Sequence, residues 1–325
     1  MEKSLTSSSS STHFYLLGLL SLIVLISLAL TAQGQSPRTA EDYNNRGLQR
    51  QSQGDLNGAI EDYTRALAIK ANAKVHAVAH NNRANALLTK NDLDGAVADY
   101  GKAIELQPMD FENYYNRGIA LTQRRDYDLA IADFTKAIEI APDFATGFDS
   151  RGTAKRAKGD IDGAIADYQR ALDISPKFYQ AYYNRGSAYQ EKDDLKAAIN
   201  DYSQALQLVP KFVDAYVNRG QARQAIGDLD GAIQDYDKAI ELKPDAGVYY
   251  ARGLARQAKH ELKEALLDYS KAIELEPGMA QAYANRAVIR TLQNQKAEAR
   301  GDFETAFKLN PGLRETFQKF LERLK

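Results

Sequence analysis

One unit of about thirty-four residues recurs eight times and takes up most of the 325-residue chain. Stretches such as YYNRGIALTQRRDYDLAIADFTKAIEIAPD and YYNRGSAYQEKDDLKAAINDYSQALQLVPK align without a gap. Copies begin at Ala40, Ala77, Phe111, Ala145, Tyr179, Val213, Ala246 and Ala280, and the last ends at Leu313. A unit this short cannot bury an apolar face alone, so it must stack on its neighbours. With 39 residues before the array and 12 after it, the repeats are the expected working part of the chain.

Inside each copy the apolar spacing is that of helix, turn, helix. Position 8 is small and lies one turn after position 4, as in Tyr114/Gly118, Tyr182/Gly186 and Tyr216/Gly220. Positions 20, 24 and 27 share one face of the second helix. They are Ala, Tyr or Phe, and Ala in all eight copies. Small residues let helices approach closely, and a ring fills the space between them. Asp at position 16 (Asp55, Asp92, Asp126, Asp160, Asp194, Asp228) suits the N-cap of the second helix. Gly54, Gly159 and Gly227 before it suit a left-handed helix terminus. Proline closes seven copies, from Pro108 to Pro311, where it cannot continue a helix.

This unit resembles the tetratricopeptide repeat in its period, the small residue at 8, Ala at 20, aromatic at 24, Ala at 27 and Pro at 32. The resemblance implies an all-α, right-handed superhelical solenoid of eight helix-turn-helix repeats, its first helices lining a concave groove. The chain departs from the family at position 4, with Tyr43, Tyr114 or Phe148 where Trp is common. Ala71 replaces the first proline, and three extra residues precede Ala77, which predicts a looser or re-angled junction at 71–76. One residue is missing around Pro244 to Ala246. After the last repeat, Leu313, Phe317, Phe320, Leu321 and Leu324 fall on one stripe, predicting a capping helix over 314–325.

Two polar ladders run through the array. Position 7 is Arg and position 23 Asp in every copy, and a helical hairpin sets them at one height. Arg117 with Asp133, Arg185 with Asp201 and Arg219 with Asp235 therefore read as structural ion pairs, within a repeat or to its neighbour. The planar guanidinium can bond a carboxylate twice; a charge ladder meeting a ligand is the alternative. Position 6 is Asn45, Asn82, Asn116, Asn184, Asn218 and Asn285, with Ser150 and Ala251 in the other two copies. These asparagines are candidates to bond the backbone of a peptide in the groove, with Tyr115, Tyr183 and Tyr250 at position 5 adding apolar contact. Equally, Asn is the family's common residue there and marks no partner. On the first reading, changing Asn116, Asn184 and Asn218 to Ala weakens partner binding and leaves melting nearly intact.

A carboxylate clamp, as in some tetratricopeptide co-chaperones, would need Lys or Arg at positions 2, 5 or 6, and none stands there. The groove positions carry Glu41, Glu112, Asp149, Asp214 and Glu191 against Arg156 alone, which favours neutral or mildly basic segments.

Other features work by exclusion. A net charge of −1 argues against a nucleic-acid binder, and the lack of cysteine excludes disulfides and thiolate sites. His13, His76 and His260 fall in the leader or in turns, and His80 takes the packing position 4 of its repeat. No convergent set of titratable groups points to catalysis, a metal or a cofactor.

Residues 1–34 read as a signal peptide or an N-terminal membrane anchor. Phe14 to Leu30 is uncharged and apolar, and Ala32-Gln33-Gly34 suits cleavage before Gln35. Residues 35–39 are then a linker, and the repeats at 40–313 lie outside the cytoplasm, periplasmic, secreted or anchored.

The sequence thus predicts a non-catalytic scaffold for protein partners, bound as extended peptides or helices. It predicts no nucleic acid, no small-molecule substrate, and membrane contact only through an uncleaved N-terminus. The alternative is an assembly factor acting through self-association or its convex face.

Overall fold

The structure, a computed structural model, describes residues 37–324, so the proposed signal peptide or anchor lies outside the described residues. Among those residues there are eighteen helices and no strand. None of these helices is long and apolar enough to cross a membrane. The chain forms two compact units divided after Ala120. Unit 1 holds α1 (Ala40–Ser52), α2 (Leu56–Ala68), α3 (Ala73–Thr89) and α4 (Leu93–Leu106). The division falls inside α5 (Phe111–Gln123). Unit 2 holds α6 (Tyr127–Ile140), α7 (Ala145–Lys158), α8 (Ile161–Ile174), α9 (Tyr179–Glu191), α10 (Leu195–Leu208), α11 (Val213–Ala225) and α12 (Leu229–Leu242). It continues with α13 (Ala246–Ala258), α14 (Leu262–Leu275), α15 (Ala280–Leu292) and α16 (Lys296–Leu309). Odd-numbered helices up to α15 are the first (A) helices of repeats and even-numbered ones the second (B).

The turns follow local chemistry. Asp55 accepts the Gly58 N–H at 2.9 Å at the start of α2, and Asp92, Asp160, Asp194 and Asp228 cap their B helices in the same way. Asp126 does not; its carboxylate pairs with Arg124 at 2.5 Å instead. Gly54, Gly159 and Gly227 hold φ between 82° and 96°, while Asn91, Arg125, Asp193, His260 and Asn294 supply the left-handed residue elsewhere.

The core of each hairpin is the position-24 ring against a position-8 residue with little or no side chain. A Cβ built on Gly220 would sit 2.7 Å from Cε1 of Tyr236, and the same closeness holds at Gly47, Gly152, Gly186 and Gly253. Burying a large apolar side chain stabilises by about 1.5–3 kcal/mol. A buried phenol must also find a partner. Tyr63, Tyr202, Tyr236 and Tyr269 donate to Gln51, Gln190, Gln224 and Gln257 at 2.7–3.0 Å. Burial pushes the Tyr63, Tyr168 and Tyr202 phenols up to about 12, so they remain protonated. Among the described residues no buried side-chain polar atom lacks a partner.

Three places differ from the sequence expectation. The extra residues before Ala77 are helical rather than loose: α3 starts at Ala73, its N-cap Asn72 accepting from the Val75 N–H at 3.0 Å. His76 Nε2 ties that turn back by donating to the Ile69 carbonyl at 2.9 Å. At the shortened junction, Asp245 is the N-cap of α13 and accepts from the Val248 N–H at 3.2 Å. In other unit 2 junctions that place is held by Phe144, Phe178, Phe212 or Met279, none of which caps. Finally, the C-terminal stripe forms two short helices, α17 (Leu313–Thr316) and α18 (Gln318–Arg323), interrupted at Phe317. Leu324, Phe317 and Phe320 still pack on Phe303, Ala306 and Phe307 of the last repeat.

Candidate peptide-binding groove

The inner face of unit 2 is set by which helices touch. Helix α7 touches α9, α9 touches α11, and α11 touches α13, while successive B helices make no contact of that extent. The stack therefore closes toward its A helices, and their outward positions line the inner face.

The Arg–Asp ladder belongs to the architecture. Arg185 bonds Asp201 of its own repeat through Nε and Nη2, both at 2.7 Å, and Arg219 bonds Asp235 at 3.0 and 2.6 Å. Arg46–Asp62, Arg83–Asp99, Arg151–Asp167, Arg252–Asp268 and Arg286–Asp302 repeat the two-point geometry. Arg117 and Asp133 belong to different units. The third nitrogen of the fork reaches back to position 25 of the preceding repeat: Arg151 to Thr135 at 3.1 Å, Arg219 to Ser203 at 2.9 Å, Arg286 to Ser270 at 3.1 Å. Where position 4 is Tyr or Phe, the guanidinium also lies over that ring, 5.7 Å from the centroid at Arg219 and Tyr216. The departure at position 4 from Trp to Tyr or Phe keeps this contact. In repeat 2 the ring is His80, and its Nδ1 donates to Asp99 at 2.8 Å, so it is a polar member of the lattice rather than plain packing.

A second cation escaped the sequence reading. Position 11 places Arg50, Lys155, Arg223, Arg256 and Arg290 on the same buried carboxylate, at 2.6–3.1 Å. The signal was present, since a basic residue recurs there in five copies.

Position 25 gives a stability prediction. Thr64, Thr135, Ser203 and Ser270 donate to the carbonyl four residues back and accept from an arginine. Repeat 2 has Gly101 there, and a Cβ on it would meet Arg117 Nη1 at 3.6 Å, an ordinary contact. Gly101→Ser is expected to stabilise unit 1 by about 0.5–1.5 kcal/mol through helix propensity and one hydrogen bond, read by chemical denaturation.

The asparagine ladder turns out to be largely a stitch between repeats. Asn82, Asn184, Asn218 and Asn285 donate to position 5 of the preceding A helix: Asn44 at 2.9 Å, Asp149 at 3.0 Å, Tyr183 at 3.0 Å and Tyr250 at 2.9 Å. The rule holds by exception too. Where position 5 is Val217, with no acceptor, position 6 of the next repeat is Ala251. Tyr183 and Tyr250, proposed as peptide contacts, are thus acceptors in the stitch and half-buried against Tyr202 and Tyr269. Asn45, exposed in the first repeat, lines a recess of about 230 Å³ with Glu41, Lys74 and Val78. Asn116 and Tyr115 are half-buried in α5. The triple change of Asn116, Asn184 and Asn218 to Ala therefore removes two inter-repeat bonds, and a measurable drop in melting temperature is now expected.

One of these stitches carries a pH signature. Burial pushes the Asp149 carboxyl up from its ordinary value, against the lowering by the Asn184 bond and the Arg156 charge. A raised folded value means the native state binds the proton more tightly, so the burial penalty is full above the folded pKa and gone below the unfolded one. Asp149→Asn keeps an acceptor for Asn184, as Asn44 does for Asn82. It is expected to stabilise near neutrality by on the order of 1 kcal/mol or less, the gain fading as the pH falls through the native Asp149 titration.

The surface left over is mostly neutral. Arg156 and Glu191 face each other at 3.6 Å, and Asp149 is buried, which leaves Asp214 as the exposed groove acid of unit 2. Between α11 and α13 lies a recess of about 540 Å³ lined by Gln221, Gln224, Ala225, Gly247, Tyr250 and Leu254, among others. It opens where Gly247 and Ala251 stand on the facing helix.

The fold and this inner face define a helical-repeat interaction scaffold. Tetratricopeptide repeat sequences match residues 84–124, 152–193 and 186–227, and a second description of the same repeat matches 112–144 and 213–245. The chain belongs to the tetratricopeptide repeat family. A tetratricopeptide repeat protein from Parabacteroides merdae superposes with a TM-score of 0.58 at 18% identity, covering 82% of this chain and 98% of that one. The C-terminal part of a TPR repeat-containing protein from Cytophaga hutchinsonii gives 0.63 at 23% identity, covering 74% and 98%. Both share the fold. YrrB, a TPR protein with an unusual peptide-binding site, gives 0.48 at 25% identity, over 62% of this chain and 99% of its own. Comparison with curated proteins found no match.

Proposed function

We propose that this protein is a non-catalytic scaffold that holds an extended segment of a partner protein along the A helices of unit 2. The recess between α11 and α13 carries the reading: it combines apolar surface from Tyr250 and Leu254 with the amides of Gln221 and Gln224 at its edge. That mixture suits a peptide, whose backbone needs donors and acceptors while its side chains need apolar contact. Gln221→Lys with Ala225→Lys, both exposed, fills the recess mouth with charge; Gln234→Lys on the exposed side of α12 is the control. In affinity capture from the native envelope, the double variant is expected to lose the partner and the control to keep it. Loss with the control alone would support the convex-face assembly role instead.

The apolar, uncharged run from Phe14 to Leu30 supports export, with the repeats outside the cytoplasm. N-terminal sequencing of the native protein tests this: a start at Gln35 indicates cleavage, and an intact start in the membrane fraction indicates anchoring.

A further inference from the structure

The junction between repeats 6 and 7 differs from its neighbours in two independent ways. First, it is one residue short, and Asp245 stands immediately before α13, where Phe212 stands before α11. Phe212 fills a defined place: its ring lies 5.5 Å from Tyr179 and 4.8 Å from Tyr183, positions 1 and 5 of the preceding A helix. Met279 holds the same place before α15 and, like Tyr250, packs against the cluster of Ala272, Ile273 and Ala282. At the short junction the corresponding positions are Val213 and Val217, and no ring from the linker covers them. Second, Val217 and Ala251 replace the hydrogen-bonded stitch that joins A helices elsewhere. A recess of about 480 Å³ results, lined by Val213, Val217 and Val248 with Tyr183, Asn218, Lys243, Asp214 and Asp245. Its size lies within the range of about 300–1,000 Å³ usual for ligand pockets.

We propose that this recess receives an aromatic side chain of the bound segment, in the place that Phe212 fills one repeat earlier, with a Lys or Arg of the same segment against Asp214. The occupant is argued from the chain itself, which supplies a ring at the neighbouring junction and omits it here. The charge follows from the rim: two carboxylates face one ammonium, Asp214 is exposed, and Asp245 spends one oxygen on the Val248 N–H. A cation beside the ring therefore meets unspent negative charge. This inference rests on the groove reading above and specifies one of its contacts.

The test selects a random peptide library, displayed on phage, against the full chain, and titrates synthetic versions of the enriched peptides. Enriched peptides are expected to carry a Phe, Tyr or Trp close to Lys or Arg, and replacing that ring by Ala is expected to weaken binding at least tenfold. Replacing Pro244-Asp245 by the three-residue link Pro-Lys-Phe, copied from Pro210-Lys211-Phe212, lets the chain fill its own recess. That variant is expected to melt like the wild type and to lose the same tenfold. Asp214→Ala is expected to lose several-fold, and only for peptides carrying the cation. If the peptides bind, lose affinity with Gln221→Lys and Ala225→Lys, yet bind the link variant unchanged, the aromatic site is overturned and the groove reading stands. If no peptide is enriched, or binding ignores both variants, both fail.

Discussion

Asp235→Ala is expected to destabilise unit 2 by about 3–5 kcal/mol, the cost of leaving a buried ion cluster with only its positive members. Asp235 is 2% exposed and accepts from Arg219 at 3.0 and 2.6 Å and from Arg223 at 2.8 Å. Arg219 is also held by Ser203 and the Tyr216 ring, so it cannot swing into water without breaking the link to repeat 5. Arg223 has an alternative in Asp228, 3.7 Å away, which places the expected loss toward the lower end. Because stacked repeats depend on their neighbours, the damage should be local. Hydrogen exchange should accelerate first in α11 and α12, with chemical denaturation giving the magnitude. A loss below about 1 kcal/mol would mean that the cluster behaves like a surface ion pair.

Gly220→Val is expected to cost about 2–3 kcal/mol by overpacking the hairpin core. A Cβ at Gly220 comes within 2.7 Å of Cε1, 3.0 Å of Cδ1 and 3.1 Å of Cζ of Tyr236. The ring can yield to one methyl but not to the two further carbons of Val, since it is 1% exposed and its hydroxyl is anchored on Gln224 at 3.0 Å. A single methyl is different: Ala84 and Ala287 occupy this position in repeats 2 and 8, beside Tyr100 and Phe303. Gly220→Ala should therefore be nearly neutral, because the gain in helix propensity of about 1 kcal/mol offsets a small ring shift. Thermal melting of the pair separates the steric effect from the backbone effect. Equal destabilisation by Ala and Val would locate the cost in the backbone.

Much of this is legible in the sequence, for a physical reason. Contacts inside one hairpin repeat at fixed short spacing, so Arg185 and Asp201, or Gly220 and Tyr236, announce each other in every copy. Contacts between repeats are harder to read. Asn218 and Tyr183 are 35 residues apart, and their link is visible only when position 6 is read against position 5 of the copy before, with Val217 and Ala251 as the telling exception. An Asn repeated along the groove face looks equally like a ligand ladder until the amide nitrogens of Asn82, Asn184, Asn218 and Asn285 are seen to bond the preceding repeat. At the junction 71–76 the missing proline suggests slack or a changed angle; the slack is absent, because Asn72 followed by Ala73 and Lys74 is an N-cap with a helix start. The interruption at Phe317 has no sequence marker, since neither Gly nor Pro stands there.

In the proposed function a partner segment lies along the inner face of unit 2. Site-specific photocrosslinking tests it most directly, with p-benzoylphenylalanine placed at Gln221 on α11 or at Gln234 on α12, in cells that make the native partner. A single crosslinked partner is expected from Gln221, absent from Gln234 and suppressed when the Pro-Lys-Phe link fills the neighbouring recess. Crosslinks from Gln234 with none from Gln221 would contradict it and move the working surface to the B helices.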